Sequence, residues 1–151
     1  MNWYAIALFV HIVGALLLFA LLTIEGFTLR TGMTAAQMNR ILGPISALAI
    51  LVPGMYMVLA GPGWTGWAVV GLATYVLIAA VGAYTGINVM RGRMAARTAT
   101  ISWLVRTGMA LAVVFDMTVK PDLIASAAVV AVGVILGVAA AVPTLRAVRP
   151  A

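Results

Sequence analysis

Only 8% of the 151 residues are charged, cysteine is absent and histidine occurs once. A soluble domain carries roughly 25% charged residues, so the scarcity of charge excludes an ordinary water-facing surface. The lack of cysteine excludes disulfides, thiolate metal sites and iron–sulfur clusters held by this chain alone. A lone histidine leaves a metal or haem only His/Met ligation, a single axial ligand, or two copies of the chain sharing theirs. Acidic side chains are equally few, three against nine basic ones, for a net charge of +6. The basic residues form no stripe and cluster between apolar runs, so they read as orientation signals of a membrane protein and not as a nucleic-acid surface.

What the chain does have is hydrophobic length: 65% of residues are hydrophobic and the mean hydropathy is +1.18. The stretch Trp3 to Ile24 is apolar apart from Tyr4, His11 and Thr23, which as a helix covers about 33 Å, a hydrocarbon core. No basic side chain precedes it and its apolar core exceeds that of a secretory signal, so it is expected to remain in the mature protein. Four more segments follow, Ile41 to Ala60, Trp67 to Met90, Ile101 to Val119 and Leu123 to Val142, each near the roughly 20 residues a span needs. Short joints separate them: Glu25 to Arg40, a glycine-rich turn at Gly61, Pro62, Gly63 and Gly66, the basic Arg91 to Arg97, and Lys120, Pro121 and Asp122.

The expected fold is therefore an all-α polytopic bundle of five transmembrane helices forming one domain over 1–151. Arg30, Arg40, Arg91, Arg93, Arg97, Arg146 and Arg149 fall on one side and only Lys120 on the other, which predicts an external N-terminus and a cytoplasmic C-terminus. A bacterial inner membrane is the expected location. Trp3, Tyr4, Trp64 and Trp67 would form an outer aromatic belt and Trp103 an inner one.

Polar side chains inside spans cost several kcal/mol unless paired, which makes each a candidate site. His11 shares a stripe with Gly14, Ala15, Leu18, Leu22 and Glu25; small residues let another helix approach, so that stripe should face inward. His11 could ligate haem or a metal, bond a quinone, or simply bond a carbonyl across the bundle. Pro53, followed by Gly54, removes the helix bond to Ala49 and should bend the second span, just before Met55, Tyr56 and Met57. Met55 and Met57 could be soft copper ligands or an axial haem partner, or core filler. Asp116 and Lys120 are four residues apart, a spacing that permits an ion pair. Glu25 and Arg106 lie towards one side on different helices and would satisfy each other's charge or form part of a proton path, with Arg30 the competing partner for Glu25. G-x-x-x-G faces at Gly82 and Gly86, and at Gly133 and Gly137, could pack helices within the chain or join copies or a larger complex.

An N-terminal span bearing His11, Ile12, Gly14 and Ala15, a second with Pro53, Gly54 and Tyr56, and a fourth ending in Met117, Lys120 and Pro121 resembles a bacterial integral-membrane family of unknown function. The pattern is loosely similar to the copper-resistance protein D membrane domain and to the HemJ-type protoporphyrinogen oxidase. That resemblance implies a first-span histidine linked to copper or haem; the third span departs from the HemJ type in having no lysine.

These residues lead to an expectation of a binding or accessory component with an outer-half pocket built from His11, Pro53 to Met57, Tyr56, Tyr84 and the Asp116/Lys120 end. Haem b, a quinone or copper would be its content, in that order. The alternatives are a haem-dependent oxidoreductase and a ligand-free small subunit packed on a larger respiratory or transport complex.

Overall fold

A computed structural model describes residues 1–31 and 36–146, with the side chains at 30, 31, 36, 37, 144 and 145 outside that description. Five helices follow one another: α1 Trp3–Thr31, α2 Ala36–Ala60, α3 Gly66–Met90, α4 Ala96–Val119 and α5 Leu123–Arg146. The described residues contain no strand. All five helices are long and apolar enough to cross a membrane, so the chain is a multi-pass helical membrane protein. Each extends beyond its apolar run or matches it, because a helix satisfies its own backbone and does not stop where the side chains turn polar. α2 continues through both Pro44 and Pro53.

Turn chemistry sets the ends. Gly63 and Gly92 take positive φ, 72° and 64°, a conformation that glycine adopts without a Cβ clash. α4 stops at Lys120, also left-handed at φ 54°, immediately before Pro121, which disfavours the helical conformation in the residue preceding it. The Lys120 N–H closes the last turn on the Asp116 carbonyl at 2.8 Å.

Four helices form a ring in which α1 packs on α2, α2 on α3, α3 on α4 and α4 on α1, while α5 lies outside it against α3 and α4. The α4–α5 contact is the most extensive, and glycine explains it. A Cβ on Gly108 would overlap the Gly133 carbonyl, and one on Gly137 would stand 2.7 Å from the Leu104 carbonyl. The two backbones touch, as small-residue faces allow. Mid-bundle packing centres on Leu22, Ile78, Met109 and Ala110, flanked by Leu18, Phe19, Trp103, Val105 and Val134. Large apolar side chains such as Phe9, Leu16, Leu48 and Ile135 point outward, as a lipid-facing surface requires.

Candidate functional site

Alternating helix directions put Trp3, Gly61, Gly66 and Lys120 at one end of the bundle, the Lys120 end, and Thr31, Met90 and Ala96 at the other, the Arg91 end. Contacts at the Lys120 end agree: the Tyr4 ring lies against Gly61, and Gly66 against Leu123.

The α1–α2 seam is antiparallel, and small residues on both helices bring it close. Gly14 packs on Ala49 and Ile50, and the Ser46 hydroxyl donates to the Gly14 carbonyl at 3.0 Å. One turn towards the Lys120 end, His11 Nδ1 stands 2.8 Å from the Ile50 carbonyl. Its ring edge lies where a side chain on Gly54 would be, 3.1 Å from that Cβ position. A carbonyl can only accept, so Nδ1 carries the hydrogen and donates; in the neutral imidazole Nε2 then holds the free lone pair. The bonded carbonyl is that of Ile50 and not the Ala49 carbonyl that Pro53 frees. Pro53 is buried and His11 half-buried.

The expected pocket around His11 is not assembled in full. Met55 and Tyr56 are 38% and 43% exposed, turned away from the seam, whereas Met57 shares the Ser46, Ile50 and Pro53 stripe by its spacings of eleven, seven and four residues. Tyr84 is 63% exposed and belongs to the other half of the bundle. α3 starts at the Lys120 end, so Tyr84 lies about 27 Å along it, whereas His11 lies about 12 Å along α1. Lys120 also lies away from His11, its ammonium 5.4 Å from the centre of the Trp67 ring.

Asp116 and Lys120 do not form the ion pair that their spacing permits. The left-handed Lys120 backbone leaves the helical path, which turns its side chain off the Asp116 face. Asp116 is wholly buried, and neither carboxylate oxygen has a hydrogen-bond partner. Its Oδ2 lies 3.6 Å from the Cβ position of Gly71 on α3.

Towards the Arg91 end, Glu25 and Arg106 do meet. Arg106 Nη2 donates to Oε1 at 2.5 Å and Nη1 to Oε2 at 3.2 Å, a forked geometry that fits guanidinium to carboxylate. Gly82 leaves room for the guanidinium, and Asn39 Nδ2 reaches Glu25 Oε2 at 3.5 Å. All four ring helices thus contribute to one brace. The side chain of Arg30, the competing partner for Glu25, and the whole of Arg149 lie outside the described residues. Next to the brace, Thr85 and Ser102 share a 2.7 Å hydroxyl bond between α3 and α4.

Trp103 is not an interfacial anchor. Its Nε1 donates to the Leu22 carbonyl at 2.7 Å, and its ring occupies the space that a side chain on Gly26 would need. Trp3 and Trp64 are exposed, at 61% and 54%. Of the glycine faces, Gly133 and Gly137 are used against α4 and Gly82 against Arg106, while Gly86 faces open space. Sequence reasoning passed over Asn39, Ser46, Thr85 and Ser102. The available signal was a polar residue recurring on an otherwise apolar helix face.

Among the described residues no group of three or more His, Cys, Asp and Glu side chains could hold a metal ion. Comparison with protein-family models, curated proteins and solved structures finds no match to the chain.

Proposed function

We propose that the chain is a small multi-pass protein of the bacterial inner membrane, N-terminus outside, that acts as a binding component and takes haem b through His11 Nε2. The observation that carries this is the 2.8 Å bond from Nδ1 to the Ile50 carbonyl. A backbone carbonyl on one ring nitrogen orients the imidazole and makes the other a better ligand, the arrangement found behind most metal-bound histidines. The same bond argues against a quinone, whose carbonyl needs a donor; the Nδ1 hydrogen is already engaged and the neutral Nε2 only accepts. Copper has less support, because Met55, one of the two soft-ligand candidates, is turned outward. From this chain His11 would be one residue holding the group. Met57, one turn past Gly54 on the same stripe, or His11 of a second copy would be another. When bound, haem would supply electron-transfer chemistry, and the chain's own residues would orient the ring and keep water away. Arg40, Arg91, Arg93, Arg97 and Arg146, all at one end of the bundle and exposed, support a cytoplasmic Arg91 end.

The test is an oxidised and dithionite-reduced visible spectrum of protein purified from haem-replete membranes in mild detergent. A Soret band that His11→Ala abolishes and Tyr84→Phe preserves is the expected result. A colourless, folded wild-type protein would overturn haem binding.

A further inference from the structure

Buried polar atoms without partners are rare in folded proteins and each needs a physical reason. In the half of the bundle nearer Lys120 they gather in one place. Both oxygens of Asp116 and the hydroxyl of Ser126 are fully buried without a hydrogen-bond partner, and Thr65 Oγ1, at the start of α3, is likewise buried and unpartnered. Asp116 continues the α4 face of Gly108 and Ala112, and Ser126 continues the α5 face of Gly133 and Gly137. Those two faces touch along their length, so their antiparallel register sets Asp116 level with Ser126. Asp116 Oδ2 also faces Gly71 of α3, and Gly66 beside Thr65 abuts Leu123, one turn before Ser126. Carboxylate and hydroxyl therefore converge on the junction of α3, α4 and α5.

An ionised carboxylate without a donor in an apolar interior is strongly disfavoured. Among the described residues no cation is hydrogen-bonded to it. Lys120 is on the Trp67 ring, and Arg106 is held by Glu25. The remaining ionisable groups of the surrounding helices in this half are Tyr75 on α3, Asp122 just before α5, and Tyr4 and His11 on α1. None of these is hydrogen-bonded to the Asp116 carboxyl, His11 being engaged by Ile50. What the junction lacks is positive charge of small size.

We propose that Asp116, assisted by Ser126, forms an intramembrane site for one small monovalent cation, a proton or a sodium ion, reached from the Lys120 end. For a proton, a lone pair of Oδ1 or Oδ2 forms the O–H bond, and the same proton returns to water on release. For sodium, the carboxylate and the Ser126 hydroxyl provide oxygen ligands with no covalent change. Lys120, held over the Trp67 ring, lies about one turn beyond Asp116. The site is separate from the α1–α2 seam and stands whether or not His11 binds haem.

The chain holds only two aspartates, Asp116 and Asp122, so labelling the aspartate carboxyl carbon with carbon-13 gives a two-signal spectrum of the full protein in liposomes. Asp122→Asn, at an exposed position, assigns the remaining signal to Asp116 without altering the buried site. A neutral-acid signal for Asp116 at pH 7 in sodium-free choline buffer supports the proton. An ionised signal that shifts when sodium replaces choline, and that Ser126→Ala weakens at least about tenfold in sodium dependence, supports sodium. An ionised Asp116 indifferent to sodium would overturn the proposal.

Discussion

A guanidinium and a carboxylate facing each other inside an apolar ring have very different consequences when one or both are removed. Arg106 and Glu25 have side chains only 5% and 14% exposed, so truncating one leaves an uncompensated buried charge. Glu25→Ala should destabilise the fold by about 3–5 kcal/mol, whereas the double change Glu25→Leu/Arg106→Leu should recover most of that loss. Reversible unfolding in mixed micelles measures both; a double variant no better than Glu25→Ala would show that the charges do more than satisfy each other. His11 is predicted to behave differently. Interhelical bonds in membranes contribute about 1 kcal/mol, so His11→Ala should lower stability by only about that much while abolishing any haem spectrum. At this scale the sequence was legible where two costly charges in separate spans needed each other, as with Glu25 and Arg106. It was not legible at Asp116, because spacing allows a pair with Lys120 but the left-handed cap that prevents it is a backbone property. Nor was it legible at Trp103, where the space provided by Gly26 draws the indole inward.

Among the helices, the small residues of α4 and α5 show how composition becomes packing. Gly133 and Gly137 spaced by four predicted a close face, yet a G-x-x-x-G pattern does not say whose backbone will lie against it. The partner proves to be Gly108 and Ala112 of the same chain, so this face is not available to a second copy. Gly108→Val would force a side chain into the Gly133 carbonyl, and overpacking against backbone cannot be relieved by a rotamer change. A loss of more than about 3 kcal/mol, or failure to fold, is expected, since overpacking of even yielding cores costs about 1–3 kcal/mol. Gly86 meets nothing within 4 Å, and Gly86→Ala should stay within about 0.5 kcal/mol of wild type. Parallel melts of the two variants separate the cases; equal losses would mean that Gly86 has a partner outside the chain. The spans themselves were readable because apolar length is set by the bilayer. The placement of Tyr84 was not, since depth must be counted from the end at which α3 starts, and that places Tyr84 far from His11.

Across the whole molecule, five antiparallel helices put the two termini at opposite ends, and the exposed arginines then bias which end faces the cytoplasm. Arg91 and Arg93 in the turn after α3, with Arg40, Arg97 and Arg146, mark one end, and among the described residues only Lys120 marks the other. Short loops of this kind are where Lys and Arg set orientation. Because the chain has no cysteine, single cysteines report topology against a silent background. Pro62 and Ala95 lie in the turns at the two ends of α3 and are both exposed, so neither substitution disturbs the interior. A membrane-impermeant maleimide added to intact cells should label Pro62→Cys, and should label Ala95→Cys only after the inner membrane is opened. The reverse pattern would invert the protein and place five arginines against the rule that retains them inside. It would also direct the Lys120 end, and with it the approach to Asp116, towards the cytoplasm. Labelling of both positions from the same side would remove α3 as a span. The ring would then lose the helix that carries Gly71 and Gly82, and Asp116 and Arg106 could not both stay buried.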